Sequence, residues 1–291
     1  MSRKLLFLLI AVVAFSAKSI AQQPRYTKKR FVDYDDPKEF VRVVPEKNGL
    51  LRTYLLISPE IWDLDDEQST YVKGGQQALV CLEGQRKNGR REGIYTAYLL
   101  DSADHKKRYK IWEQTYAGDK LNGQWKTYTL KGGLVRFQTY KNDSLDGPAR
   151  DYWIDGKSII EERIYFNGKN KYVHRDFSRD GKVLEETTFE NGIPNGPAKK
   201  FYPNGILMDE VILVNGIPDG PRKYYYPSGK LWVESEMKNG KPWTVFANYT
   251  EAGQKRDPGT LKDGNGSMIF YNNNGGIRET VTYKNGIAVG Q

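Results

Sequence analysis

Past residue 22, no window of the chain holds apolar positions at a period of 3.6 for the length of a helix. Apolar and polar residues instead alternate over stretches of about 8 to 10 residues bounded by glycine dipeptides, the pattern of half-buried strands joined by tight turns. The dipeptides are Asp155-Gly156, Asn167-Gly168, Asp180-Gly181, Asn191-Gly192, Asn204-Gly205, Asn215-Gly216, Ser228-Gly229, Asn239-Gly240, Ala252-Gly253, Asp263-Gly264, Asn274-Gly275 and Asn285-Gly286, one every 11 to 13 residues. Two-residue type I′ hairpin loops need positive φ at both positions, which Asn-Gly and Asp-Gly tolerate best. The pattern predicts one up-and-down antiparallel meander.

A second regularity is superimposed. A Gly is followed five residues later by an aromatic at Gly93/Tyr98, Gly123/Tyr128, Gly147/Tyr152, Gly196/Phe201, Gly220/Tyr225 and Gly266/Tyr271. Two degenerate copies, Tyr172/Phe177 and Thr244/Tyr249, keep only the aromatic. From residue 123 the starts lie 22 to 25 residues apart, and the first copy precedes them by 30 across an insertion around Asp101 to Lys107. A fixed period of this length marks a repeat array.

If each Xaa-Gly dipeptide is a two-residue loop, the residues facing each other across the hairpin follow by counting. Asn204-Gly205 then pairs Phe201 with Met208 and Lys199 with Glu210. The same count pairs Tyr152 with Ile159 and Arg150 with Glu161, Phe177 with Leu184 and Arg175 with Glu186, and Tyr225 with Trp232 and Lys223 with Glu234. Four successive hairpins match an aromatic to an apolar residue and a base to an acid. In the next two copies Ala247 or Ile269 replaces the base, with Pro258 or Thr280 opposite, so base and acid vanish together. The expected fold is all-β, an elongated single-layer twisted sheet of hairpin repeats of about 24 residues.

Residues 22–82 do not carry the repeat. Phe40 to Val44, Leu50 to Ile57 and Gln77 to Glu83 read as strands, with Lys47-Asn48-Gly49 as a turn, forming an N-terminal extension and β cap before about eight repeats at 83–291. Residues 1–21 combine Arg3 and Lys4, an apolar run from Leu5 to Phe15 and a Ser19-Ile20-Ala21 end, which reads as a secretory signal peptide. That run is shorter than the roughly 20 residues that span a bilayer. The expected location is periplasmic or extracellular, and no Cys near Ala21 offers a lipoprotein attachment point.

Charge then changes meaning. The chain has 45 Lys plus Arg against 36 Asp plus Glu, and loss of Arg3, Lys4 and Lys18 with the leader would lower its net charge from +9 to +6. Arg150, Arg175, Lys199 and Lys223 could form a polyanion track, but each has an acid counted opposite it, and export argues against nucleic acid. One Cys and two His exclude a disulfide framework and leave little for a transition metal. Cys81, inside Ala78-Leu79-Val80-Cys81-Leu82, reads as a buried small residue. Neither His105 nor His174 lies in a catalytic motif, so no catalytic residue, metal ligand or cofactor is expected.

Asn191-Gly192-Ile193-Pro194-Asn195-Gly196-Pro197 followed by Phe201-Tyr202-Pro203-Asn204-Gly205 resembles the bacterial MORN-variant repeat, and Asn215 to Gly229 and Asn239 to Lys255 extend the resemblance. The resemblance covers about residues 84–291. It implies an antiparallel β-repeat sheet and no catalytic residues, with antitoxin assignments among some bacterial members and membrane or protein scaffolding among eukaryotic ones. The repeated aromatics Tyr98, Tyr128, Tyr152, Phe177, Phe201, Tyr225, Tyr249 and Tyr271 are expected to pack the sheet. Trp125, Trp153, Trp232 and Trp243 are candidates for a partner-binding face. The expected function is an exported non-enzymatic interaction or scaffold module with a protein partner in the envelope; glycan or anionic-lipid binding and an antitoxin-like role are the alternatives.

Overall fold

The computed structural model describes residues 40–45, 50–57, 78–101, 104, 106–168, 170–272 and 274–289. The leader, the extension at 22–36, the turn at 47–49 and His105 lie outside the described residues. Among the described residues every regular element is a strand. The contacts divide the chain into two compact units, 23–169 and 170–291, so that the division falls within the repeat array.

In the first unit each strand pairs antiparallel with the next. The order is β1 (Phe40–Pro45), β2 (Leu50–Ile57), β3 (Ala78–Lys87), β4 (Arg90–Leu100), β5 (Arg108–Ala117), β6 (Lys120–Tyr128), β7 (Leu134–Lys141), β8 (Ser144–Tyr152) and β9 (Ile159–Tyr165). Its core is Val80, Tyr95, Ala97, Ile111, Trp112 and Tyr116, with Trp125 packed against it. Cys81 is buried at 2% exposure, as expected of a small residue in an apolar run.

The second unit repeats the plan. β10 (Lys171–Phe177), β11 (Val183–Glu190), β12 (Ile193–Phe201), β13 (Leu207–Val214), β14 (Ile217–Tyr225), β15 (Leu231–Lys238), β16 (Lys241–Tyr249) and the short β17 (Lys255–Arg256) form a meander. β18 (Gly266–Tyr271), β19 (Ile277–Lys284) and β20 (Ile287–Ala288) form a further small sheet. Between the two, Pro258 has no N–H to give a ladder, and isolated contacts replace a strand: Val245 N donates to Leu261 O at 3.0 Å, and Gly259 pairs with Met268.

The turns fall into two classes that alternate along the chain. At Asn88-Gly89, Asn191-Gly192, Asn215-Gly216, Asn239-Gly240, Asp263-Gly264 and Asn285-Gly286 both residues have positive φ, for example 50° and 80° at Asn215-Gly216, as type I′ loops require. Gly118-Asp119 and Asn142-Asp143 take the same conformation without the Asn-Gly form. At Gly181, Gly205, Gly229, Gly253 and Gly275 the glycine alone is left-handed. There Tyr202 N donates to Ile206 O and Gly205 N to Tyr202 O, both at 2.8 Å, closing a longer loop over residues 202–206.

This second class corrects the counted register. Phe201 faces Leu207 rather than Met208, Phe177 faces Val183 rather than Leu184, and Tyr225 faces Leu231 rather than Trp232. A bulge follows immediately, so one extra residue on the return strand restores the count. Arg175↔Glu186, Lys199↔Glu210 and Lys223↔Glu234 therefore pair as counted. The hairpin at residues 153–158 is one residue longer: Tyr152 faces Ile159 as counted, and the bulge moves Arg150 from Glu161 to Glu162, with Nε–Oε1 at 2.7 Å.

Contacts also link successive repeats. At the I′ tips Asp143 N donates to Leu121 O, Gly216 N to Pro194 O, Gly240 N to Pro218 O and Gly286 N to Gly264 O at 2.7 to 2.9 Å, each to the residue 22 positions earlier. At the opposite tips the Tyr202 hydroxyl donates to Tyr225 O at 2.7 Å and the Tyr226 hydroxyl to Tyr249 O at 2.8 Å. The same tip contact survives at other spacings, with Gly264 N donating to Trp243 O and Asp119 N to Arg91 O across the insertion, so it tolerates changes in repeat length.

Candidate binding surface

Seven of the eight repeat aromatics close a strand: Tyr128, Tyr152, Phe177, Phe201, Tyr225, Tyr249 and Tyr271 are the last residues of β6, β8, β10, β12, β14, β16 and β18. They flank a row of alternating charge in which Arg175, Glu186, Lys199, Glu210, Lys223 and Glu234 are successive register partners from β10 to β15, ending at Ala247. Glu186 is shared by Arg175 at 2.7 Å and Lys199 at 3.3 Å. Burial alone would raise its carboxyl, yet these two bases hold it below the ordinary glutamate value. One repeat aromatic also anchors an acid of the row, the Tyr225 hydroxyl donating to Glu210 at 2.7 Å, and in the first unit the Tyr128 hydroxyl donates likewise to Glu113 of β5 at 2.7 Å. The bases are spent on this ladder rather than presented as a track.

The four tryptophans separate. Trp125 packs on the first-unit core, tilted against Tyr140 at 5.8 Å. Trp153 is exposed on the longer hairpin loop. Trp243 lies against the Asp263-Gly264 turn with Lys238 Nζ 4.5 Å above its ring. Trp232 lines a cleft. It is the bulge residue of β15, set out of the ladder because Tyr224 faces Val233 and Tyr225 faces Leu231, and it stacks on Tyr226 at 5.3 Å.

The cleft belongs wholly to the second unit and encloses about 90 Å³. One wall comes from β14 to β16 through Tyr224, Trp232, Met237 and Val245, and the other from β18 and β19 through Met268 and Tyr283. Beneath lies a buried ion pair. Arg222 Nε and Nη2 donate to Asp209 Oδ1 and Oδ2 at 3.1 and 2.8 Å, with both side chains 5% exposed. Nothing in the repeat pattern announces this pair, because Ala149 and Ala198 occupy the matching position of two other repeats. An Asp two strand positions from a register mate of Arg222 was the available signal: Val211, not Asp209, faces Arg222 in the ladder.

A third feature is an apolar row at the I′ tips. Ile193 and Ile217 follow Asn-Gly in consecutive repeats and are 48% and 49% exposed, with Val214, the register partner of Ile217, at 43%. Apolar side chains usually stay scattered on a surface; three on adjacent hairpin ends make a patch.

Sequence comparison bears on the unit from which these surfaces are built. The family described as MORN repeat variant matches residues 194–215, 218–239 and 265–285. Residues 194–285 carry three MORN-variant repeats. The first two matched segments begin inside β12 and β14 and the third one residue before β18, and each runs through the long loop to the Asn of an I′ tip, so the unit recognised by sequence is a hairpin with its connections. No curated protein matches the chain. The MORN hairpins at 194–215 and 218–239 carry Val214, the Arg222–Asp209 pair and most of the β14–β15 wall of the cleft, and Ile193 and Ile217 each lie one residue before one of them.

Proposed function

We propose that this chain is an exported, non-enzymatic module that binds a protein partner in the cell envelope through its MORN-variant array. MORN repeats support a repeat-based binding or scaffold role in general. The observation that carries the protein reading is the apolar row Ile193, Val214 and Ile217, exposed on neighbouring tips. Export rests on the leader read at residues 1–21, and the non-enzymatic reading on the lack of a catalytic constellation in the sequence. Glycan or anionic-lipid binding is the competing reading, and an antitoxin-like role requires a toxin exported alongside.

A photo-crosslinker placed at Ile217 in the full chain tests this in envelope extract. One defined protein adduct, lost when Ile193→Asp is added, is the expected result. Adducts only with lipid or glycan, or none, overturn it.

A further inference from the structure

The I′ tips of the second unit change character along the chain. Residues 190–193 and 214–217 read Glu-Asn-Gly-Ile and Val-Asn-Gly-Ile, whereas 238–241, 262–265 and 284–287 carry Lys238, Lys241, Lys262 and Lys284 against the single acid Asp263. All four lysines are exposed, and among the described residues none pairs with an acid. Lys238 and Lys241 are direct register partners, so base faces base, the reverse of the charge ladder and a destabilising arrangement. These tips touch one another. A Cβ on Gly240 would stand 3.2 Å from Ile217 Cγ2, and one on Gly286 would stand 2.8 Å from Lys241 Cβ. Gly264 N donates to Trp243 O at 2.7 Å and Gly286 N to Gly264 O at 2.8 Å, which gathers the last three tips around Lys241. The apolar row and the lysines therefore form one continuous edge. Glu190 alone makes its two apolar tips −1, and four lysines less Asp263 make its three basic tips +3. Ile287, the register partner of Lys284, is 55% exposed at the far end.

That order selects the ligand. A polyanion has no apolar group for Ile193, Val214 and Ile217, and a neutral glycan gains nothing from the lysines. An anionic bilayer is repelled by Glu190 at the apolar end. Ile193 and Ile217 hold the same tip position as Lys241, whose longer side chain reaches further out. The apolar residues, at 43% to 49% exposure, are half covered rather than projecting as bilayer insertion requires. Acidic and apolar side chains in a fixed linear order are the property of a polypeptide. Successive tips lie two strands apart, about 10 Å, so Ile193 to Lys241 spans about 20 Å, the reach of about six extended residues. We infer that this edge binds a polypeptide segment that sets apolar side chains on Ile193, Val214 and Ile217 and acidic ones on Lys238, Lys241, Lys262 and Lys284. The inference rests on the protein-binding reading and names the partner's chemistry.

Fluorescence anisotropy of labelled peptides, titrated with the full chain, tests this. One peptide carries a block of leucines followed by a block of glutamates, a second alternates the same residues, and a third is glutamate throughout. The block peptide is expected to bind saturably, and about tenfold or more tighter than the other two. Ile217→Asp and Lys238→Glu are each expected to weaken it about tenfold. Lys238→Glu sets an acid opposite Lys241, so the urea midpoint of the second unit should stay level or rise while binding falls, which separates lost contact from lost fold. Equal binding of block and alternating peptides, or unchanged binding in either variant, overturns the inference. So do phosphatidylglycerol vesicles that displace the block peptide and depend on the same two residues. A surviving Ile217 adduct whose yield Lys238→Glu leaves unchanged then keeps the protein-binding reading and removes only the acidic partner; loss of the adduct as well removes both.

Discussion

At the second residue after each repeat start, the first unit places Tyr95, Trp125 and Ala149, whereas the second places His174, Ala198, Arg222, Phe246 and Met268. Tyr95 joins a packed aromatic core with Trp112 and Tyr116, its ring edge-on to Tyr116 at 5.3 Å. Arg222 instead joins Asp209 beneath a cleft, and Met268 forms the opposite wall. The type I′ turns are shared, so the hairpin frame does not dictate what fills its buried side. Bulk there makes a closed core in the first unit, whereas in the second the ion pair lies beneath an open cleft.

The largest expected effects separate the two kinds of filling. Trp112→Ala should destabilise the first unit by ~3–5 kcal/mol, through lost burial and the cavity left behind. Asp209→Ala should cost the second unit ~3–5 kcal/mol by stranding a buried guanidinium, and adding Arg222→Ala should recover part of that loss. Hydrogen exchange of β4–β6 and of β13–β15 amides during urea unfolding reads each unit by itself. A double variant no better than Asp209→Ala alone would show that volume rather than charge holds the second unit.

Glycines sharpen the comparison at a smaller scale. Gly84 lies under the Tyr95 ring, where a Cβ would stand 2.3 Å from the ring, so Gly84→Ala should cost ~1–3 kcal/mol in the first unit by overpacking. Gly89 and Gly216 sit at φ +80° with open space or only Pro194 Cδ at 4.0 Å nearby, and Ala at either should cost ~1–2 kcal/mol from backbone strain alone. Equal losses at these two tips, read by the same exchange experiment, would confirm that the turn frame is common to both units.

Acid should weaken both units in the same direction. Burial raises the Glu83 and Glu186 carboxyls, but Arg108 with Arg52 and Arg175 with Lys199 outweigh it and leave both below 4.5. A carboxyl lowered on folding contributes stability that is present above 4.5 and lost as pH falls through its lower folded value. Urea midpoints should therefore drop below pH 4.5, and Glu186→Gln should flatten that dependence for the second unit only. Smallest is a spectroscopic effect: burial and the hydrogen bond to Glu210 push the Tyr225 phenol up to about 12, and Glu210→Gln should bring its ultraviolet titration back toward 10.0.

Much of the frame was legible in the residues because its causes are local. Asn-Gly encodes positive φ by itself, and a Lys or Arg facing Glu can be counted from the nearest turn. The second class of turn was misread because Asn204-Gly205 and Asn215-Gly216 look alike, although only in the latter does the Asn take positive φ. The choice depends on flanking residues and on the cross-strand bulge that the partner strand accepts.

That bulge was decided by tertiary structure, and it removes Trp232 from its counted place opposite Tyr225. The cleft needed more still. It requires Arg222 and Asp209 on neighbouring strands, and Met268 and Tyr283 from a sheet some 50 residues later in the chain, to meet across the same space. Period, turn position and alternating charge are properties of short segments, so the chain's own order specifies them. Burial of a particular Arg, and of the Tyr224 hydroxyl and Trp232 Nε1, arises only when distant hairpins exclude water together.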